Sequence, residues 1–374
     1  MPLVTIGRVH AARDVAEELG VDLVVVTPGS DLRYLSGYDA HAMERLTALA
    51  IPRRGEPFLV VPRLEAPMVA VSPAGALDLD VLAWDETDDS FAVLAAAATA
   101  RLGRTPSRVA VGARTWAEHA LGVQRALPGS VLELATPVVD RLRMVKTPAE
   151  VDQLVLAGAA IDRVHARMGE LLRVGRTEAA VGADIAAAIL AEGHVGVDFT
   201  IVGSGPNGAS PHHELSERVV QADDVVVVDI GGELPSGYRS DCTRTYAVGA
   251  EPSAEVAEWY GVLQLAQETA SAVVRPGIAA EEVDATARQV IADAGWGQHF
   301  IHRTGHGIGL DTHESPYIVS GNELSLVAGM AFSIEPGIYF AQRCGARIED
   351  IVVCTEDGVR SVNHGPRELV VLPG

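Results

Sequence analysis

Lysine is almost absent from this sequence, and basic residues in general are outnumbered by acidic ones. Lys146 is the single lysine among 374 residues, and 50 acidic residues face 29 basic ones, which gives a formal net charge of −21. Nucleic acids and anionic membranes bind proteins through basic surfaces. The composition therefore predicts neither a nucleic-acid partner nor a membrane partner.

Cysteines and long apolar runs are also scarce. Cys242, Cys344 and Cys354 are too few and too far apart for a disulfide framework or a zinc ribbon, and they fit a reducing compartment. No uncharged apolar run reaches the roughly 18 residues of a membrane span. The N-terminus lacks the basic start and apolar stretch of a signal peptide. We therefore expect a cytoplasmic protein.

The pattern of residues 1–145 predicts an N-terminal α/β domain. A chain of 374 residues exceeds what one core usually holds, so two domains are expected. Short runs rich in β-branched residues and closed by turn residues alternate here with helical segments. Helices are predicted over residues 8–19 and 91–102, and strands over 23–26, 47–51, 58–61 and 109–112, with a hairpin around 53–56.

Residues 146–374 form the second predicted domain, which opens with a helix start. Thr147 suits the N-cap, Pro148 the first helical position, and Glu150 follows the cap by three residues. Helices are predicted over residues 148–172, 177–192, 254–274 and 280–294, and strands over 224–230, 238–248, 330–340, 346–355 and from 360 onward. The whole chain is therefore expected to be α+β, with a mostly antiparallel sheet in this domain and helices on one face of it.

Two short motifs suggest other functions, but the residues around each motif argue against those functions. The segment GSGPNG at 203–208 has the spacing of a dinucleotide-binding loop, but two histidines and charged residues follow it instead of an apolar helix. His302 and His306 have the spacing of a zinc-binding helix, but glycines surround them and Arg303 stands where that motif needs glutamate. We predict a tight loop at the first segment and no helix at the second.

Four acidic residues lie next to predicted buried strands, where acidic side chains are unusual. Asp229 ends a run of valines, and turn residues separate it from Asp241, so a hairpin would bring the two side by side. Glu335 closes another apolar strand, and Glu349 precedes a further one. Each alone is more often an ordinary turn or loop acid. Together they matter, because buried ionised carboxylates are costly unless they are paired or bind metal.

One histidine completes a plausible donor set. His306 lies between two glycines, and with the four acids it offers hard oxygen ligands and an imidazole, a set that suits Mn²⁺, Co²⁺, Fe²⁺ or Zn²⁺. Four negative charges would balance two divalent ions, and such a pair of ions generates hydroxide at neutral pH. The residues therefore predict a two-metal hydrolytic site.

Seven short blocks in the second half occur in one order. They read PHH at 211–213, VDIGG at 228–232, SDCTRT at 240–245, HRTGHGIG at 302–309, HESP at 313–316, EPGIY at 335–339 and RIED at 347–350. In these blocks the chain resembles the pita-bread metallopeptidases: prolidase (Xaa-Pro dipeptidase), Xaa-Pro aminopeptidase and methionine aminopeptidase. The resemblance covers essentially the whole chain. It implies an N-terminal creatinase/prolidase-type domain, residues 1–145, and a pita-bread catalytic domain with a curved sheet, residues 146–374.

The resemblance also implies a ligand set for two divalent ions per subunit. Asp229 and Asp241 would bind one ion, Asp241 and Glu349 would bridge both, and His306 and Glu335 would complete the second. Manganese is the expected metal, with zinc, cobalt and iron as alternatives.

Further residues receive catalytic and substrate roles from the same resemblance. Glu335 would also be the general base, and His313 would stabilise the developing oxyanion or the scissile amide. His302, counted with these catalytic residues, would line the subsites for the substrate's proline and carboxylate, together with His212 and Arg347.

The expected activity is hydrolysis of the Xaa-Pro bond in short proline-containing peptides, with Xaa-Pro dipeptides preferred because the chain is short and its N-domain single. Alternatives are an aminopeptidase acting on longer peptides, a creatinase-like amidinohydrolase and a binding protein, although the last two classes lose the carboxylate ligands. The resemblance also implies a homodimer, in which the partner's N-domain narrows the cleft.

The chain departs from the family pattern at residues 197–200, which read VDFT and lack a tyrosine found in some members. The hydroxyl of that tyrosine is therefore expected to be absent or supplied from elsewhere.

Overall fold

The computed structural model describes residues 3–374, which divide into two compact units on either side of the bond between Arg143 and Met144. Within these residues, no helix combines the length and the hydropathy that crossing a bilayer requires.

The N-terminal unit is a six-stranded mixed sheet with helices, as the α/β pattern predicts. Its helices are α1 (Ile6–Glu18), α2 (Ser30–Ser36), α3 (Ala66–Val71), α4 (Ser90–Leu102), α5 (Ala117–Ala126) and α6 (Thr136–Arg143), and its strands are β1 (Leu23–Val26), β2 (Ala48–Pro52), β3 (Phe58–Pro62), β4 (Asp80–Trp84), β5 (Arg108–Val111) and β6 (Val131–Leu134). The strand order is β4-β3-β2-β1-β5-β6. Strands β2 and β3 pair antiparallel, which confirms the predicted hairpin.

The helices of the second unit follow the predicted caps. They are α7 (Pro148–His165), α8 (Met168–Leu171), α9 (Glu178–Ala191), α10 (Ala254–Ala272) and α11 (Ala280–Asp293). Thr147 and Glu150 form the predicted capping box at the start of α7. The prediction of one helix to residue 172 was wrong, because α7 stops at His165. The ring of His165 bonds the Tyr246 hydroxyl at 2.9 Å and the Cys242 carbonyl at 3.1 Å, which fixes this last turn.

The strands of the second unit form three sheets. They are β7 (Gly196–Ser204), β8 (Val225–Glu233), β9 (Arg239–Val248), β10 (Gly305–Gly307), β11 (Glu314–Ile318), β12 (Ala331–Ile334), β13 (Gly337–Phe340), β14 (Cys344–Arg347), β15 (Asp350–Thr355), β16 (Gly358–Ser361) and β17 (Val370–Leu372). The sheet orders are β17-β9-β8-β7, β11-β10-β12-β15-β16 and β13-β14. The strands predicted over 330–340 and 346–355 are each split in two, the first at Pro336, which has no N–H for a ladder bond.

Each of the two larger sheets packs against its own pair of helices. One core joins α7 and α9 to β8 and β9 through residues such as Ile161, Ile185 and Val228. The other joins α10 and α11 to β12 and β15 through residues such as Trp259 and Phe332. Successive side chains of a strand point to opposite faces. Asp229 therefore points away from the core that holds its neighbours in β8.

The α7 cap offers a stability test. We expect Thr147→Ala to lower the free energy of unfolding by about 1 kcal/mol, because the Glu150 amide loses its side-chain acceptor. Thr286→Ala, the same change in the middle of α11, is the matched control and should shift stability by less than about 0.5 kcal/mol. Urea unfolding followed by circular dichroism measures both. Equal effects at the two positions would contradict a capping role.

Candidate active site

Five predicted donors converge in the second unit from five separate places in the chain. Asp229 lies in β8, Asp241 in β9, His306 in β10, Glu335 directly after β12 and Glu349 directly before β15. Asp229, Asp241, His306 and Glu349 are buried. Three overlapping groups have ligand atoms within 4.8 Å of one another: Asp229, Asp241 and Glu349; His306, Glu335 and Glu349; and Asp241, His306 and His313.

The β8–β9 hairpin places its two aspartates differently from the sequence interpretation. Asp229 pairs in register with Thr243, and Asp241 pairs with Gly231, so the two acids are diagonal neighbours two positions apart. A two-residue offset keeps both on one face of the sheet. Asp229 lies within β8 and not at the end of a strand, and Asp241 lies within β9, whereas Glu335 and Glu349 lie between strands.

Glycines on both sides of His306 allow its strand to lie close to its neighbours. A Cβ atom at Gly305 would stand 1.9 Å from the Ser333 carbonyl oxygen, and one at Gly307 would stand 2.3 Å from that of Ser315. Larger residues would therefore push β10 away from the sheet. The short glycine-flanked strand delivers His306 Nε2 to 3.1 Å from Glu335 Oε1 and 3.7 Å from Asp241 Oδ2.

The carboxylates are crowded enough to disturb one another's ionisation. Burial raises the pKa of Asp241 and Glu349 well above the ordinary values, and the negative charge of neighbouring acids adds to the effect. Burial also raises the pKa of Asp229, against the attraction of the Arg347 guanidinium. Burial opposes ionisation of Glu335 as well, but the hydrogen bond and charge of His306, with the further attraction of Arg347, together outweigh burial and lower the pKa.

Two carboxylate oxygens in this cluster have no partner. Asp229 Oδ1 and Glu349 Oε1 are buried and accept no hydrogen bond from the described residues 3–374. An unsatisfied buried acceptor is costly, and an oxygen-rich, negatively charged group with one imidazole suits hard or borderline divalent cations. The residues therefore fit a metal centre.

Neighbouring side chains hold the donors in place. The Thr243 hydroxyl donates to Glu349 Oε2 at 2.7 Å, and the Ser333 hydroxyl donates to Glu335 Oε1 at 2.9 Å. Ser333 Oγ also accepts from the His306 amide at 3.0 Å, so one serine fixes two donors. Residues 197–200, which lack the tyrosine, lie in β7, and the Thr243 hydroxyl supplies a hydrogen bond to the cluster.

His313 and His302, the two predicted catalytic histidines beside the cluster, differ in how far they are exposed to solvent. The exposed ring of His313 lies 3.9 Å, centroid to centroid, from that of His306. Burial, followed by the charge of His306, lowers the pKa of His313 to about 4. His302 is more enclosed, and burial lowers its pKa to about 4 as well. Its Nε2 lies 3.0 Å from the Tyr339 hydroxyl.

Arg347 and His212, the two predicted substrate residues, differ in exposure. Arg347 is buried, pairs with Asp229, and donates to the Tyr339 hydroxyl at 2.9 Å and to Thr243 Oγ1 at 3.1 Å. His212 is exposed on the segment that follows β7. Arg347 also donates to the Pro211 carbonyl at 3.3 Å, so it links that segment to the carboxylate cluster.

Three residues around the site were missed by sequence reasoning. Lys146 forms a buried ion pair with Glu314, the residue after His313, with Nζ 2.7 Å from Oε1. Tyr339 bridges Arg347 and His302. The single lysine of the chain and the tyrosine that ends the EPGIY block were the available signals.

Comparison with known proteins relates the chain to peptidases over nearly its full length. Residues 152–356 match the family described as "Metallopeptidase family M24", and residues 8–145 match the family described as "Creatinase/Prolidase N-terminal domain". The probable dipeptidase PepE of Mycobacterium tuberculosis is 54% identical over 366 residues, which are 98% of this chain and 96% of that protein. The Xaa-Pro dipeptidase of Lactobacillus delbrueckii subsp. lactis is 36% identical over 360 residues, 96% of each chain.

A solved structure agrees with this assignment. The crystal structure of dipeptidase PepE from Mycobacterium ulcerans matches with a TM-score of 0.94 at 56% identity, over 98% of each chain. The predicted architecture, a creatinase/prolidase-type N-terminal domain followed by a pita-bread domain in an α+β chain, is confirmed. The chain belongs to metallopeptidase family M24.

Proposed function

We propose that the protein hydrolyses the Xaa-Pro peptide bond, with Xaa-Pro dipeptides as its main substrates. The observation that carries this proposal is the complete donor set, four carboxylates and His306, gathered within a few ångströms in a chain of the M24 family. Relatives named dipeptidase and Xaa-Pro dipeptidase, each aligned over almost the whole chain, support the substrate class.

We propose that the donor set holds two divalent ions. Asp229 and Asp241 would bind one, His306 and Glu335 the other, and Asp241 and Glu349 would bridge them. When bound, the ions supply Lewis acidity that activates water at neutral pH and polarises the scissile carbonyl. The partnerless oxygens of Asp229 and Glu349 support this assignment, since both are buried acceptors. Manganese is the proposed metal on the chemistry of an oxygen-rich set.

The chain's own residues would move the proton and position the peptide. Glu335 is the proposed general base: Oε1 already accepts from Ser333, so Oε2 is the atom that would take the proton of the attacking water and pass it to the leaving proline nitrogen. His313, beside His306 and open to solvent, would donate a hydrogen bond to the oxygen on which negative charge develops.

The substrate side of the site is proposed to lie between His302, His212 and Arg347. The half-buried ring of His302, the exposed imidazole of His212 and the guanidinium of Arg347 would offer shape and hydrogen bonds for a proline ring and its carboxylate. We further propose a cytoplasmic homodimer with residues 1–145 as its N-terminal domain; the unpaired cysteines are consistent with a reducing compartment.

The first test is hydrolysis of Ala-Pro and Ala-Pro-Ala by EDTA-treated protein, with and without added Mn²⁺. We expect no cleavage without metal, and cleavage of Ala-Pro when the metal content measured by mass spectrometry approaches two ions per chain. Cleavage of the tripeptide alone would make the protein an Xaa-Pro aminopeptidase. Failure to cut either peptide with Mn²⁺, Co²⁺ or Zn²⁺ would overturn the proposed function and favour a binding protein.

Glu335→Ala tests the general base. We expect turnover of Ala-Pro to fall by about 10³-fold or more, because the group that accepts the proton is removed. The fold should be retained, as judged by circular dichroism, since Glu335 lies outside the hydrophobic cores. Glu323→Ala, at an exposed glutamate of the same unit, is the control and should keep the normal rate. A near-normal rate for Glu335→Ala would exclude this role.

His313→Ala tests stabilisation of the transition state. We expect kcat to fall by about 10²–10³-fold while KM changes little, because the hydrogen bond is needed only when charge develops. His364→Ala, at an exposed histidine of the same unit, should leave both constants unchanged. If KM rises and kcat stays constant, His313 binds the substrate instead.

A further inference from the structure

Glu178 is a fully buried carboxylate that the proposed chemistry does not use. It is the first residue of α9, and its side chain is 0% exposed. A buried charge is costly unless several hydrogen bonds satisfy it. Burial opposes ionisation of Glu178, but hydrogen bonds, first from Ser204 and then from Ser216, outweigh it and lower the pKa.

All the side-chain partners of Glu178 come from the segment that carries the two adjacent histidines. We name residues 204–216 the histidine loop. Glu178 Oε1 accepts from the Ser204 amide at 2.8 Å and hydroxyl at 2.6 Å. Oε2 accepts from His213 Nε2 at 2.7 Å and from the Ser216 hydroxyl at 2.6 Å, and Asn207 Nδ2 reaches both oxygens. One carboxylate thus ties together the start, the middle and the end of the loop.

His212 stands between two fixed neighbours in this loop. On one side, the Pro211 carbonyl accepts from Arg347, which also pairs with Asp229. On the other side, His213 is bound by Glu178. The exposed ring of His212 is therefore presented by a backbone that is held from both directions, although its own side chain is open to solvent.

We propose that Glu178 is a positioning residue, which fixes the histidine loop so that His212 presents its imidazole to the bound peptide. This rests on the proposed peptidase function, in which His212 contacts the substrate. Glu178, at the start of α9, would then hold the histidine loop in its conformation. Substrate affinity would depend on this carboxylate although it does not contact the substrate. A purely structural Glu178 would instead affect stability without a specific effect on KM.

The test uses two variants of the metal-loaded full chain. Glu178→Gln replaces one acceptor oxygen with an amide nitrogen, which cannot accept from Asn207, His213 or Ser216. His213→Phe keeps a ring but removes the donor to Glu178, and it leaves the other bonds of the carboxylate in place, so it decides the matter if Glu178→Gln fails to fold. Glu192→Gln, at the other end of α9 in an exposed ion pair with Arg163, is the matched control.

We expect both variants to raise KM for Ala-Pro by about tenfold while kcat stays within about twofold, because ordering of His212 affects binding more than chemistry. The double variant should be no worse than Glu178→Gln alone, since both changes break one path. The control should match the unaltered protein. Unchanged KM in His213→Phe, or a fall in kcat at constant KM, would overturn the proposal.

Hydrogen–deuterium exchange gives a readout that does not depend on activity. Peptides covering residues 204–216 should exchange faster in both variants, with no change in α10 or α11. If the unaltered protein cuts no Xaa-Pro peptide, the proposed function fails, and the anchoring role of Glu178 is judged by this exchange alone. Unchanged exchange in the histidine loop would then overturn it.

Discussion

Repulsion among four clustered carboxylates, three of them buried, is the constraint on which the rest of the catalytic unit depends. Burial raises the pKa of Asp229, Asp241 and Glu349, and the positive charge of Arg347 opposes this rise at all three without cancelling it. An arrangement of this kind is unfavourable as a bare protein core. The proposed divalent cations would balance this charge, and metal binding would then remove a local instability that the fold preserves.

A few side chains around this cluster each contact two of its groups, and these contacts keep the cluster rigid. Ser333 contacts both His306 and Glu335, and Thr243 contacts both Glu349 and Arg347. Arg347 also reaches the histidine loop through Pro211. These shared contacts hold donors from five separate strands or turns in fixed positions. Two sheets, each with its own helix pair, carry the donors on backbone that hydrophobic cores immobilise.

Local patterns predicted most elements because their causes are local. The capping box of Thr147 and Glu150, the valine run of β8 and the glycines around His306 depend on residues a few positions apart. Predictions failed where distant contacts decide. Helix α7 ends at His165, whose ring contacts Tyr246 and the Cys242 carbonyl far along the chain. Asp229 faces Thr243 instead of Asp241 because the hairpin register is set by pairing along the whole strands.

The sequence by itself determined which residue types could form a hydrolytic metal centre, since the order of acidic, histidine and glycine blocks is a property of the chain. It also determined the two-part α+β architecture through its alternating patterns. Only the tertiary structure decided which oxygens are left without partners, that Lys146 pairs with Glu314, and that Glu178 gathers the histidine loop. Those contacts join residues far apart in the chain, and their energy depends on burial and distance, which exist only after folding.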